Sequence, residues 1–136
     1  MAWKVGASRS LRIVELGRPW DGDEAKRRML DRGVRTIRRG CLVYDDEADP
    51  ETLAAYKLPF AWVMDGGDLV AAAEGLRAAA SRLPQTDIPD SVKEDARRVL
   101  DAYFERMSDE KAMEVDQAAT IAARMAGNGS VVVYRA

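Results

Sequence analysis

The segment from Ser91 to Met107 constrains this chain more than any other. Ser91 and Glu94 stand in S-x-x-E order, the pattern of a capping box in which a hydroxyl and a carboxylate satisfy the first N–H groups of a helix. Val92, Ala96, Val99, Leu100, Tyr103, Phe104 and Met107 then recur at helical spacing, with Arg97, Arg98 and Asp101 facing away. A helix with one apolar stripe must bury it, so the remainder has to supply a core. With 136 residues, 47% hydrophobic and 32% charged, the chain is large enough for one domain to do so.

The rest of the sequence predicts an α+β fold: about three main helices and a few short strands in one compact domain over residues 20–136. Residues 1–19 read as an extended N-terminal arm, with a hint of a strand at Leu11 to Val14 before Gly17 and Pro19. Asp21 is a candidate N-cap with Glu24 as its capping-box partner, and the helix it opens should stop at Gly33. Cys41 to Tyr44 reads as a strand ended by Asp45-Asp46-Glu47. Asp49-Pro50 predicts a helix of about two turns, since Pro59 lies ahead. From Leu58 to Met64 the pattern alternates, predicting one half-buried strand at a sheet edge, and Asp65-Gly66-Gly67 turns the chain. Asp68 to Leu83 carries a helical stripe ended by Pro84. Ser108-Asp109 reads as a break before a further helix to Met125, and Gly127-Asn128-Gly129 as a turn. Val131 to Tyr134 reads as a terminal strand. Short strands need a common sheet or an outside edge to pair with.

Composition removes several classes of chemistry. The chain has no histidine, so Ser-His and Cys-His nucleophile pairs and His-ligated metals are out. Its one cysteine, Cys41, cannot form an internal disulfide and suggests a reducing compartment; as the first residue of an apolar strand it reads as a buried side chain. Asp45, Glu47 and Asp49 alternate like calcium-loop ligands, but Pro50 and Tyr56 occupy the positions that need Gly and a carboxylate. Ser8, Ser10, Ser81 and Ser91 lack nucleophile context. No apolar run approaches the ~20 residues of a membrane span, and the N-terminus lacks a signal-peptide block. A soluble cytoplasm-type protein with no cofactor, no metal, no membrane partner and no catalysis is expected. A Ser-Lys or carboxylate hydrolase remains as an alternative.

Two features point to partners instead. Lys26, Arg27, Arg28, Arg32, Arg35, Arg38 and Arg39 place seven positive charges in fourteen residues, a density able to hold phosphates or an acidic protein surface. Net charge is only −2 and aromatics are not interleaved, so nucleic acid is an alternative and not the favoured partner. Trp3, Trp20 and Trp62 are the large aromatic groups. Trp62 shares a face with Phe60 and Met64 and reads first as core, while Trp3 is expected to dock the arm onto this domain or a neighbour. The candidate partner-binding set is therefore Trp3, Arg27, Arg28, Arg35, Arg38, Arg39 and Trp62.

The motifs Arg18-Pro19-Trp20-Asp21-Gly22, Tyr56-Lys57-Leu58-Pro59-Phe60, Asp65-Gly66, Gly75 to Ala80, Ile88-Pro89 and Tyr103-Phe104 occur in this order. Over about residues 18–107 the chain resembles a recurring module of tailed-bacteriophage head genes, found beside or fused to prohead maturation proteases. Trp62 stands where that module often has a polar residue, and Pro84 to Asp87 replaces a commoner Gly-rich loop. With no histidine in the chain, no protease triad and no catalytic residue are expected to carry over from that module. The resemblance implies a non-catalytic head protein, of decoration, cement or minor capsid type, in the virion after assembly in the host cytoplasm. Its implied partners are the major capsid protein or another head protein, and further copies of itself.

Overall fold

The computed structural model describes the backbone of residues 1–126 and the side chains of residues 1–109. Among these residues the fold is α+β, with four α-helices and two three-stranded sheets. The chain divides into two compact units, Met1–Tyr103 and Phe104–Ala136. The expected strand at Val131 to Tyr134 and the turn at Gly127 to Gly129 lie outside the described residues.

The first sheet has the order β1 (Trp3–Val5), β3 (Cys41–Asp45), β4 (Tyr56–Pro59), antiparallel throughout, with Trp3 opposite Asp45 and Val43 opposite Lys57. The second has the order β2 (Ile13–Val14), β6 (Leu69–Ala72), β5 (Ala61–Val63); β2 runs parallel to β6, and β5 pairs antiparallel with it across the expected turn. The first 19 residues are therefore not an extended arm. Their two strands pair into the two sheets, and Ala2 N–H donates to the Asp45 carboxylate at 2.9 Å.

Residues 58–64 do not form one half-buried strand. Leu58 adopts φ 61, which costs an L-residue roughly 1–2 kcal/mol, and this reversal sends β4 and β5 into different sheets. Phe60 joins them: its N–H donates to Gly40 O at 3.0 Å, and its carbonyl accepts from Ala72 N–H at 2.9 Å. Leu58, Phe60, Ala61, Trp62 and Val63 are all buried, because helices cover positions that alternation left to solvent.

Helix α1 (Gly22–Arg32) begins as expected, with Asp21 accepting from Glu24 N–H at 3.1 Å, and buries Ala25 and Met29. Gly33 closes it by donating to Leu30 O, and Gly33 O then accepts from Thr36 and Ile37. That linkage starts α2 (Val34–Gly40), which charge density had disguised; Ile37 and Gly40 are its buried residues. The two-turn helix expected after Asp49 is a single 3₁₀ turn at Leu53–Ala55. Asp49 instead accepts from Glu51 N–H at 2.9 Å and forms a local turn.

The helix expected from Asp68 starts late. Leu69 to Ala72 form β6, because the Gly66-Gly67 turn returns the chain against β5, and α3 is Ala73–Arg82. Helix α4 runs unbroken over Asp90–Ala126, so Ser108-Asp109 does not interrupt it. It opens at Asp90, with Pro89 O accepting from Val92 and Lys93, which puts Ser91 inside the first turn and not at the cap. Within the first unit α4 buries Ala96, Val99, Leu100 and Tyr103.

Tyr103 ties the core to the N-terminal segment. Its ring lies 5.4 Å from that of Phe60, its hydroxyl donates to Ser8 O, and it accepts from Leu11 N–H at 3.2 Å. Tyr103→Phe would leave a buried N–H and a part-buried carbonyl without this partner, so it should destabilise the first unit by about 1–3 kcal/mol. Urea denaturation checks this; a midpoint equal to that of the unmodified chain would contradict it.

Candidate functional site

Trp20 and Trp62 meet in the wall of a concave surface. Trp20 follows Pro19 and precedes the α1 cap, and Trp62 is the middle residue of β5. Their rings meet edge to face, centroids 6.1 Å apart at 63°, the arrangement favoured by the ring quadrupoles. Gly75 on α3 makes room for Trp20. A Cβ there would lie 2.8 Å from the indole and 2.7 Å from Phe60 O.

The loop carrying Trp20 is held by a carboxylate. Glu74, in the first turn of α3, accepts from Leu16 N–H at 3.0 Å and Gly17 N–H at 2.7 Å. Gly17 has φ 73, a left-handed geometry that glycine adopts readily. Partial burial pushes the Glu74 pKa up, but the backbone N–H donors outweigh it and hold it below the ordinary 4.5. Glu15 adds an exposed ion pair with Arg77 at 3.2 Å.

Two guanidiniums complete the site. Arg28, on α1, donates from Nε and Nη2 to Val63 O at 3.1 and 2.6 Å, and lies 3.4 Å from Asp65. Its Cζ sits 4.8 Å from the Trp62 ring centroid, and that of Arg18 sits 4.6 Å from it. The cavity between these groups holds about 630 Å³ and is lined also by Val14, Glu15, Leu16, Pro19, Asp21, Glu24 and Met64. A second, shallower groove of about 950 Å³ shares Trp20 and includes Lys26, Lys57, Arg82 and Asp87. The Trp20 Nε1–H is buried without an acceptor.

Of the seven residues expected to bind a partner, Arg28 and Trp62 meet at this cavity and the other five are not in its lining. Trp62 is 7% exposed, as its core reading required, with its remaining surface turned to the cavity. Trp3 lies in the other sheet, half-buried beneath Lys57, whose Nζ is 4.9 Å from the ring. Arg27 pairs with Glu24 at 3.3 Å. Arg38 is half-buried, with Cζ 4.6 Å from the Tyr44 ring centroid, while Arg35 and Arg39 are exposed on α2. Arg18, Trp20, Glu24 and Asp65 were not singled out from sequence as site residues. The R-P-W-D-G motif contained Arg18 and Trp20 and the D-G motif Asp65, while Glu24 entered only as a capping-box partner.

Cys41 is buried, and desolvation pushes its pKa up to about 12 against the opposing charge of Lys26. It is a neutral thiol at physiological pH, and the neighbouring Arg38 and Arg39 do not activate it. Among the described residues no group of three or more His, Cys, Asp or Glu is placed to hold a metal, and no helix is long and apolar enough to cross a membrane. No protein-family model, curated protein or solved structure matches the chain.

Glu74 has a depressed pKa in the fold, so its stabilisation is complete above the unfolded value and is lost as pH falls through the lower folded value. The stability gap between the unmodified chain and Glu74→Gln should therefore be widest near neutrality and narrow progressively as pH falls below the ordinary glutamate value. Denaturant midpoints across that range measure it, and a gap independent of pH would contradict the assignment. Gly75→Ala should cost about 1–3 kcal/mol through overpacking and alter Trp20 fluorescence. A spectrum and midpoint like those of the unmodified chain would mean the close approach carries no strain.

Proposed function

We propose that this chain is a non-catalytic structural protein of a bacteriophage head, a decoration, cement or minor capsid component that binds the shell. One observation supports this reading above the others. The separate motifs behind the resemblance interlock in space: Trp20 of the first motif packs at Gly75 of the Ala-rich helix, and Phe60 of the second packs on Tyr103 of the last. Motifs spread over some eighty residues thus contribute to one core.

The basic stretch gives the nucleic-acid reading less support. Lys26 donates to Leu53 O and Tyr56 O, Arg28 to Val63 O, and Arg27 pairs with Glu24. Lys26, Arg27 and Arg28 are thereby engaged within the chain, which lowers their value for phosphates. The expected partner is a protein surface of the assembled head, and the expected location is the virion.

Co-sedimentation with shells assembled from the major capsid protein of the same genome tests this. Saturable recovery in the shell fraction is the expected result. A chain that stays in the supernatant at micromolar concentration, or that instead retards DNA at low salt and releases it as salt rises, would overturn the proposal.

A further inference from the structure

The Trp20–Trp62 cavity holds a cation of its own that is poorly secured. The exposed side chain of Arg18 stacks on Trp62, yet among the described residues no hydrogen bond or ion pair holds its guanidinium. Arg28 is different, being tied to Val63 O and Asp65. The backbone under Arg18 is fixed by Glu74 at Leu16 and Gly17, so rotation of the Arg18 side chain alone removes one of the two guanidiniums that lie over the Trp62 ring. Four carboxylates line the same cavity, Glu15, Asp21, Glu24 and Asp65; Asp21 caps α1, and the other three meet Arg77, Arg27 and Arg28 in long, largely exposed ion pairs of 3.2–3.4 Å. Once Arg18 swings out, the only guanidinium lining the cavity is Arg28, already committed to a backbone carbonyl.

We infer that this cavity is a docking site for an arginine-bearing segment of a partner protein, and that Arg18 occupies it as a displaceable stand-in. The surroundings select for such a group. Indole faces attract cations, and a planar guanidinium stacks better than an ammonium. The ion pairs that Glu15, Glu24 and Asp65 make at the rim are exposed and therefore weak, so an incoming guanidinium can exchange into them, whereas a phosphate or an acidic peptide meets four carboxylates. The 630 Å³ volume accommodates at least one arginine side chain with its flanking backbone. This chemistry holds whatever assembly the chain belongs to, so shell binding and arginine docking stand or fall in separate experiments.

The test is a titration of the isotopically labelled full chain with a short blocked peptide carrying two arginines between glycines, followed through the three indole N–H resonances. Saturable shifts at Trp20 and Trp62, with Trp3 unmoved, are expected. Arg18→Ala removes the internal competitor and should tighten binding roughly twofold to fivefold. The paired change Glu24→Gln and Asp65→Asn, at side chains away from the core, should weaken it without unfolding the chain. Three results would overturn the proposal: no shift at millimolar peptide, preference for a matching glutamate peptide, or unchanged or weaker binding in Arg18→Ala. Concentration-dependent movement of the same resonances without peptide would do so too, assigning the cavity to a second copy.

Discussion

Phe60 is the joint on which the first unit depends. Its N–H donates to Gly40 O at the end of α2, one residue before β3 of the first sheet, its carbonyl accepts from Ala72 in the second, and its ring lies against Tyr103 of α4. Neither sheet has more than three strands, and sheets that small have little independent stability. Sharing one residue lets them be covered by the same helices and bury a common core. The left-handed Leu58 just before it is the local cost of the switch. Gly75 is constrained by the same joint, since its missing Cβ lets the Phe60 carbonyl and the Trp20 ring approach α3 together.

The cavity follows from this arrangement. Trp62 is presented by the strand that leaves Phe60, and Trp20 by a loop that Glu74 grips from the helix leaving the same sheet. A helix start without a side-chain cap would ordinarily favour a first-turn carboxylate for its dipole alone. Here that carboxylate also satisfies two N–H groups of another segment. The site is thus built on anchored elements, and the least fixed group in it is the Arg18 side chain.

The basic stretch behaves as a set of unlike residues. Lys26 and Arg28 close backbone carbonyls of neighbouring strands, Arg38 stacks on Tyr44, and Arg35 and Arg39 face solvent. The break at Gly33 divides them between α1 and α2, so charge density along the sequence is shared between two helices. Trp3 shows a parallel effect. It lies beside polar residues in sequence, yet strand pairing with β3 places its ring under Lys57.

Local chemistry alone determined the α+β class, the Asp21 cap with the stop at Gly33, the strand at Cys41, the Gly66-Gly67 turn and the buried stripe of α4. Each rests on contacts a few residues apart, which is the range over which propensity, capping and periodicity act. The pairing of residues 1–19 into two sheets, the division of 58–64 at Leu58, the strand at 69–72, and the meeting of Arg18, Trp20, Arg28 and Trp62 were decided only by the tertiary structure. Those outcomes depend on hydrogen bonds and burial between segments tens of residues apart. Ala71, for example, becomes a strand residue because Arg12 O and β5 are there to accept and pair with it; its neighbours in sequence, read by themselves, make a helix.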